Sequence, residues 1–120
     1  MNRKITVNFA EIHNNQLNLN INEAITDLVP SGQILVDSDH FSFIYLMENK
    51  DDYTYIELPE TIWPVLKEAL DGKLPAWLIF KGGQLKLTLF QEELDYVTNN
   101  IKGNGNYSLK MVRKVEEIFF

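Results

Sequence analysis

Apolar positions in this chain fall into short runs of period two, separated by turn-forming residues, and into longer stretches with helical spacing. Ile5, Val7 and Phe9 alternate with polar neighbours. So do Leu17, Leu19 and Ile21, with Gln16, Asn18 and Asn20 on the opposite face. Alternation with one polar face marks antiparallel strands that have one side in water, so residues 4–21 read as a hairpin. Asn14-Asn15 supplies its turn, because Asn tolerates positive φ. Asn22 to Val29 is ambiguous: Asn22 is placed to cap a short helix that buries Ala24, Ile25, Leu28 and Val29, and Pro30-Ser31-Gly32 ends it with a turn.

The run from Gln33 to Gly72 organises the rest. Its strands are Ile34-Leu35-Val36, Phe41 to Met47 and Tyr53 to Leu58, with a polar loop from Asn49 to Asp52 between the last two. Phe41, Phe43, Tyr45 and Met47 occupy one face of the second strand, and Ile44 and Leu46 the other. A strand apolar on both faces belongs in the interior of a sheet. Thr61 to Leu70 follows as a helix, with Thr61 as N-cap, Pro64 in the first turn, where its missing N–H costs little, and an apolar stripe of Ile62, Val65, Leu66, Ala69 and Leu70. Gly72 is the expected stop.

Ala76 to Phe80 and Leu85 to Phe90 flank Lys81-Gly82-Gly83-Gln84, a hairpin signal, since two-residue turns need positive φ. A second helix is expected from Glu92 to Ile101, with Leu94, Val97 and Ile101 inward. Lys102 to Asn106 is the most flexible stretch, and Ser108 to Phe120 carries Met111, Val112, Val115, Ile118 and Phe119 at helical spacing. Strands in runs joined by short turns, with helices between the groups, predict one α+β domain over residues 1–120. Its expected form is a twisted, mainly antiparallel sheet of six or seven strands, with two or three helices packed mainly on one face.

Composition narrows this picture without redrawing it. The chain has 120 residues, 45% hydrophobic and 23% charged, which is ordinary for a globular domain able to bury its own core. It has no cysteine, so disulfides and thiolate metal sites are excluded. No apolar run is long enough to span a bilayer, and Ile5 to Phe9, after Arg3 and Lys4, alternates where a signal peptide needs a continuous apolar segment, so the expected location is cytoplasmic. The net charge is −6, unevenly placed. Residues 1–60 carry three basic side chains (Arg3, Lys4, Lys50) against ten acidic ones, a net of −7, while residues 61–120 carry eight against seven, a net of +1. That balance argues against nucleic acid as a partner, since such binding is driven by neutralising phosphates. Lys102, Lys110, Arg113 and Lys114 near Tyr107 form a local basic patch, but Glu116 and Glu117 follow directly, and a solvated helix face accounts for it.

Candidate chemistry is confined to Asp37-Ser38-Asp39-His40. An apolar strand ending in Asp-x-Asp resembles the first motif of haloacid dehalogenase-like phosphatases, in which two carboxylates share a Mg²⁺ or act as nucleophile and acid/base. The similarity covers about six residues and stops at Phe41, where those enzymes place a small or β-branched residue; no later Asp-Asp pair completes a metal site. A turn explains the same residues, because Asp and Ser bond their own backbone. Asp37, Asp39 and His40, with His13 further off, are therefore weak metal candidates beside a turn reading, and no motif calls for a cofactor. Phe119 and Phe120 are interface candidates: such rings either dock on the protein's own sheet or meet a second copy in a homodimer.

The segment Ile34-Leu35-Val36-Asp37-Ser38-Asp39-His40-Phe41-Ser42-Phe43-Ile44-Tyr45, with Trp63-Pro64-Val65-Leu66-Lys67-Glu68-Ala69-Leu70 downstream, resembles a family of small uncharacterised proteins of Gram-positive bacilli. The resemblance extends over the whole chain and implies a bacterial cytosolic setting, with no activity, cofactor or functional residue attached. Without a complete catalytic constellation, the expected function is a non-catalytic protein-binding or regulatory module. The alternatives are a metal-dependent phosphohydrolase using Asp37 and Asp39, and an immunity- or antitoxin-like protein whose acidic half meets a basic partner.

Overall fold

A computed structural model describes residues 3–120. The chain runs β1 (Arg3–Thr6), β2 (Phe9–His13), β3 (Gln16–Asn20), β4 (Val29–Asp37), β5 (Ser42–Glu48), β6 (Tyr53–Pro59), α1 (Trp63–Asp71), β7 (Ala76–Phe80), β8 (Gly83–Lys86), α2 (Phe90–Ile101) and α3 (Leu109–Phe119). The α+β class holds, but the single antiparallel sheet does not. The eight strands form two four-stranded mixed sheets, ordered β1-β6-β5-β4 and β2-β3-β7-β8. Each contains one parallel pair, β1 with β6 and β3 with β7.

The expected 4–21 hairpin is thereby split. Only β2 and β3 form it, closed by Asn14 (φ 53°) and Asn15 (φ 60°), the two positive values a tight two-residue turn demands. β1 leaves for the other sheet. The amide of Val7 still donates to Glu57 O at 3.0 Å, and the next amide, Asn8, donates to Asn20 O at 2.8 Å, so the chain changes sheets within one residue. The change shifts the side-chain phase. Ile5 and Val7 are buried, but Phe9, expected beside them, is 52% exposed.

No helix forms between Asn22 and Val29. Pro30-Ser31-Gly32 is a bulge inside β4, where the register shifts between Pro30 and Ile34. β4 is an edge strand and Pro30 stands at the register shift, the two settings in which a strand tolerates proline, and Gly32 (φ 78°) supplies a left-handed residue within the bulge. A Cβ on Gly32 would stand 3.1 Å from Leu89 Cδ1, so the bulge packs directly on the connection between β8 and α2.

β5 is interior, as its two apolar faces imply. Phe43, Tyr45 and Met47 point into the core, and all three helices reach that face. Trp63 of α1 stacks on Phe43 at 4.6 Å between centroids. Phe119 of α3 meets both rings at 6.0 Å, and Phe90 of α2 stacks on Tyr45 at 5.8 Å. Leu17, Leu19, Ala76 and Leu78 of the second sheet join the same core. The Tyr45 hydroxyl accepts from Gly32 N at 3.1 Å and donates to Thr88 O at 2.7 Å, which ties the β4 bulge to the β8–α2 connection. Burial pushes its pKa up.

Helix boundaries shift for local reasons. A 3-10 turn, Glu60–Ile62, precedes α1, so Thr61 lies inside that turn and Ile62 is the N-cap, without a side-chain cap. Trp63 compensates by donating Nε1 to Leu58 O at 3.0 Å. β8 ends at Lys86, well short of the expected Phe90. Leu89 adopts φ 58°, stays 58% exposed and serves as N-cap of α2, which begins two residues before the expected Glu92. Ser108 caps α3 by accepting from Met111 N at 3.2 Å. No helix among the described residues is long and apolar enough to cross a membrane.

Candidate functional site

The core shared with the helices and the second sheet takes its first-sheet members, Ile5, Ile34, Phe43, Tyr45, Met47, Ile56 and Leu58, from one face of that sheet, and none of the residues on the other, outer face belongs to it. Pairing registers fix which side chains share that outer face: Lys4 with Tyr55, Thr6 with Glu57, Ile44 with both Leu35 and Glu57, Leu46 with Tyr55, and Glu48 with both Val29 and Tyr53. The centre is apolar. Ile44 and Leu46 are 5% and 7% exposed, covered by neighbours in the sheet, while Leu35 and Tyr55 are half-buried. Val29 and Tyr53 extend the patch outward, at 60% and 45% exposure.

One end of this face carries a polar network across all four strands. Glu57 is its hub. Its Oε1 accepts from Thr6 Oγ1 at 2.8 Å, and its Oε2 accepts from Ser42 Oγ at 3.2 Å and pairs with Lys4 Nζ at 3.1 Å. Lys4 Nζ lies 3.9 Å from Asp37 Oδ2, which in turn meets His40 Nδ1 at 2.9 Å. Burial pushes the Glu57 carboxyl up, but the bonds from Thr6, Lys4 and Ser42 and the ammonium of Lys4 outweigh it and hold the carboxyl below its ordinary value. Asp37 follows the same logic: burial raises it, and the bonds and charge of His40, with Lys4 behind, bring it below its ordinary value. Beside the network, Lys4, Asp37, Asp39, Ile44 and Tyr55 line a shallow hollow of about 610 Å³.

The sequence-predicted residues are partly brought together. Asp37 and His40 meet, and the contact has the form of a turn: Asp37 Oδ1 accepts from the His40 amide at 3.3 Å while Oδ2 takes the ring. Phe41 (φ 48°) closes that turn, so β5 starts at Ser42. Asp39 is exposed on the same turn, and His13 stands at the end of β2 in the other sheet. Among the described residues, no group of three or more His, Asp or Glu side chains is placed to hold a metal ion. A carboxylate on a histidine Nδ1 is also how a general base is oriented. Here the His40 side chain is 66% exposed, and the buried Ser42 hydroxyl donates to Glu57 and not to His40.

The other candidates separate. Phe119 is 2% exposed in the core, whereas Phe120 is 50% exposed with Lys102 Nζ 4.5 Å above its ring. The basic patch is divided as well, because Lys114 pairs with Glu60 at 2.9 Å and lies over Phe41. Lys4, Thr6, Ser42 and Glu57 escape sequence reasoning. The one local signal is a charge, Glu57, set in the otherwise apolar run Tyr53 to Leu58; its partners arrive through the parallel β1–β6 pairing, which no local pattern encodes.

Comparison with known proteins leads to a family and to no activity. The sequence pattern of a family of unknown function, UPF0738, matches residues 5–119. A UPF0738 protein of Bacillus velezensis is 42% identical over 99% of each chain. The UPF0738 protein YjbL of Bacillus subtilis is 40% identical over 99% of each, and one of Geobacillus kaustophilus is 38% identical over 100% of this chain and 98% of its own. No solved structure matches the chain. The chain belongs to UPF0738, a family whose function is unknown.

Proposed function

We propose that this protein is a non-catalytic binding module that seats a protein partner on the open outer face of its first sheet. The observation that carries this reading is the makeup of that face. Half-buried Leu35 and Tyr55 flank Ile44 and Leu46, which their neighbours already cover, exposed Val29 and Tyr53 extend the apolar surface, and charged groups border it. An aromatic and aliphatic centre inside a polar rim is the usual anatomy of a protein interface. Most of the rim is acidic: Asp39, Glu48, Asp51 and Asp52 are exposed around it, and Lys4 is already paired with Glu57. The complementary partner surface is therefore apolar with Lys or Arg at its edge, which joins the regulatory reading to that of an acidic protein meeting a basic partner. The role of Asp37 in its own turn supports this over a metal-dependent phosphohydrolase, since both its oxygens are occupied.

Site-specific photo-crosslinking tests the proposal. A crosslinking side chain at Leu35 or Val29 should attach one discrete protein in a Bacillus lysate, the same group at Lys81 should not, and Tyr53→Asp should abolish capture in a protein that still unfolds cooperatively. Equal capture from both positions, or capture indifferent to Tyr53→Asp, would defeat the reading.

A further inference from the structure

The connection between α2 and α3 contains Asn104-Gly105, the single place in the chain where an asparagine directly precedes a glycine. Asparagine is chemically labile in that setting. The next amide nitrogen lies within reach of the side-chain carbonyl carbon, and closure of a succinimide ring makes the attack intramolecular. Glycine hinders this closure least, because it has no Cβ. The fold leaves the attacking group free. Gly105 is exposed, its amide donates to no acceptor among the described residues, and nothing lies within 4 Å of the place a Cβ would take.

The carbonyl under attack is held and polarised. Asn104 Oδ1 accepts from Asn106 N at 2.9 Å, an Asx turn whose hydrogen-bonded ring contains the Gly105 amide and keeps it beside Cγ. The Asn106 amide is thereby a fixed donor at the oxygen that becomes negative when Cγ is attacked. Nδ2, the leaving nitrogen, donates to Asn100 O at 2.9 Å and holds the side chain in one orientation. Main-chain bonds from Asn104 N to Ile101 O at 3.0 Å and from Tyr107 N to Asn104 O at 3.2 Å hold the turn itself. Asp71-Gly72, which can close the same ring with loss of water, is the internal contrast. Gly72 N donates to Glu68 O at 3.2 Å as the C-cap of α1, so its amide is engaged.

We infer that Asn104 is a deamidation site of the folded protein, converted through a succinimide to aspartate and isoaspartate. Gly105 N bonds to Cγ and gives its proton to water, while Nδ2 takes a proton and leaves as ammonia. Water then opens the ring at either carbonyl, so amide and water become carboxylate and ammonium, without an oxidant or a cofactor. Aspartate keeps the bond from Asn106 N but sets an oxygen against Asn100 O where Nδ2 had donated. Isoaspartate reroutes the main chain through Cβ and displaces the bonds to Ile101 and Tyr107. Either product adds a negative charge near Glu116, whose Oε2 accepts from Gly103 N at 2.8 Å. The reaction therefore loosens the α2–α3 connection.

The test incubates the intact protein at neutral pH and physiological temperature and follows each asparagine by peptide mapping with mass spectrometry. Labelling by an isoaspartate methyltransferase separates the two products. A synthetic peptide of residues 101–107 sets the time in which the sequence reacts alone. Conversion at Asn104 is expected within that time, while Asn99, Asn100 and Asn106 stay amides and Asp71 gains no isoaspartate. Hydrogen exchange at Asn104 and Tyr107 should quicken in the converted protein. Gly105→Ala places its Cβ in open space, so it should not lower the melting temperature. It should slow conversion about fivefold or more, the rate equivalent of the roughly 1 kcal/mol of backbone freedom that glycine alone keeps. Asn104 intact after the peptide has converted, isoaspartate forming at 71 as fast as at 104, or Gly105→Ala reacting at the parent's rate would overturn the inference.

Discussion

Phe119 is where a single side chain bears most directly on stability. It is 2% exposed, lies at 6.0 Å from both the Phe43 and Trp63 rings, and joins α3 to β5 and α1. Replacing it by alanine removes a buried ring from a site whose neighbours are themselves held. Trp63 is fixed by its bond to Leu58 O, and Phe43 by the sheet, so the cavity cannot easily collapse. Phe→Ala at such positions costs about 3–5 kcal/mol, a large share of the roughly 5–15 kcal/mol that stabilises a domain. At about 4 °C per kcal/mol for a domain of this size, Phe119→Ala should lower the melting temperature by roughly 12–20 °C. Phe120 is the internal control: half-exposed, with Lys102 over its ring, it should cost under about 1 kcal/mol as alanine. Urea unfolding and calorimetry of both variants give the answer. A Phe119→Ala loss below about 1 kcal/mol, or equal losses at the two positions, would show that α3 is not held as described.

Three further outcomes follow from particular contacts. Gly32→Ala should destabilise by about 1–2 kcal/mol in urea unfolding, because alanine at positive φ is strained and its Cβ meets Leu89 Cδ1 at 3.1 Å; a neutral result would mean that the bulge is not held against that connection. Tyr45→Phe should cost about 1–3 kcal/mol by leaving Gly32 N and Thr88 O unpaired, and faster hydrogen exchange at Gly32 is its signature. Glu57 titrates below its ordinary 4.5 in the fold, so its stabilisation is complete above that pH and drains as pH falls through the lower folded value. Lys4→Met should raise the Glu57 midpoint in a carboxyl NMR titration and flatten that acid limb, and an unmoved midpoint would dismiss the network.

Much of the architecture is legible in local patterns because local physics sets it. β5, β6, all three helices and the Asn14-Asn15 turn each rest on periodicity or on the tolerance of Asn for positive φ. Long-range choices are not legible in this way. Ile5, Val7 and Phe9 alternate as though on one strand, and nothing local reveals that Val7 bonds one sheet and Asn8 the other. Leu85, Leu87 and Leu89 alternate just as well, yet Leu89 turns left-handed to start α2, because Phe90 is needed against Tyr45. The site divides along the same line. Asp37 and His40 are close in sequence and were visible as a pair, whereas Lys4 and Glu57 meet only through a parallel register.

β5 decides which experiments on the sheet face are informative. Its alternation sends Phe43, Tyr45 and Met47 to the core and Ile44 and Leu46 to the outer face. The Tyr45 hydroxyl also ties the β4 bulge to the β8–α2 connection. A substitution in β5 therefore disturbs the core and the outer face through one strand, and loss of binding in such a variant reports on folding before it reports on recognition. Val29 and Tyr53 lie outside β5 and are exposed, so changes there act on the sheet face with less cost to the core.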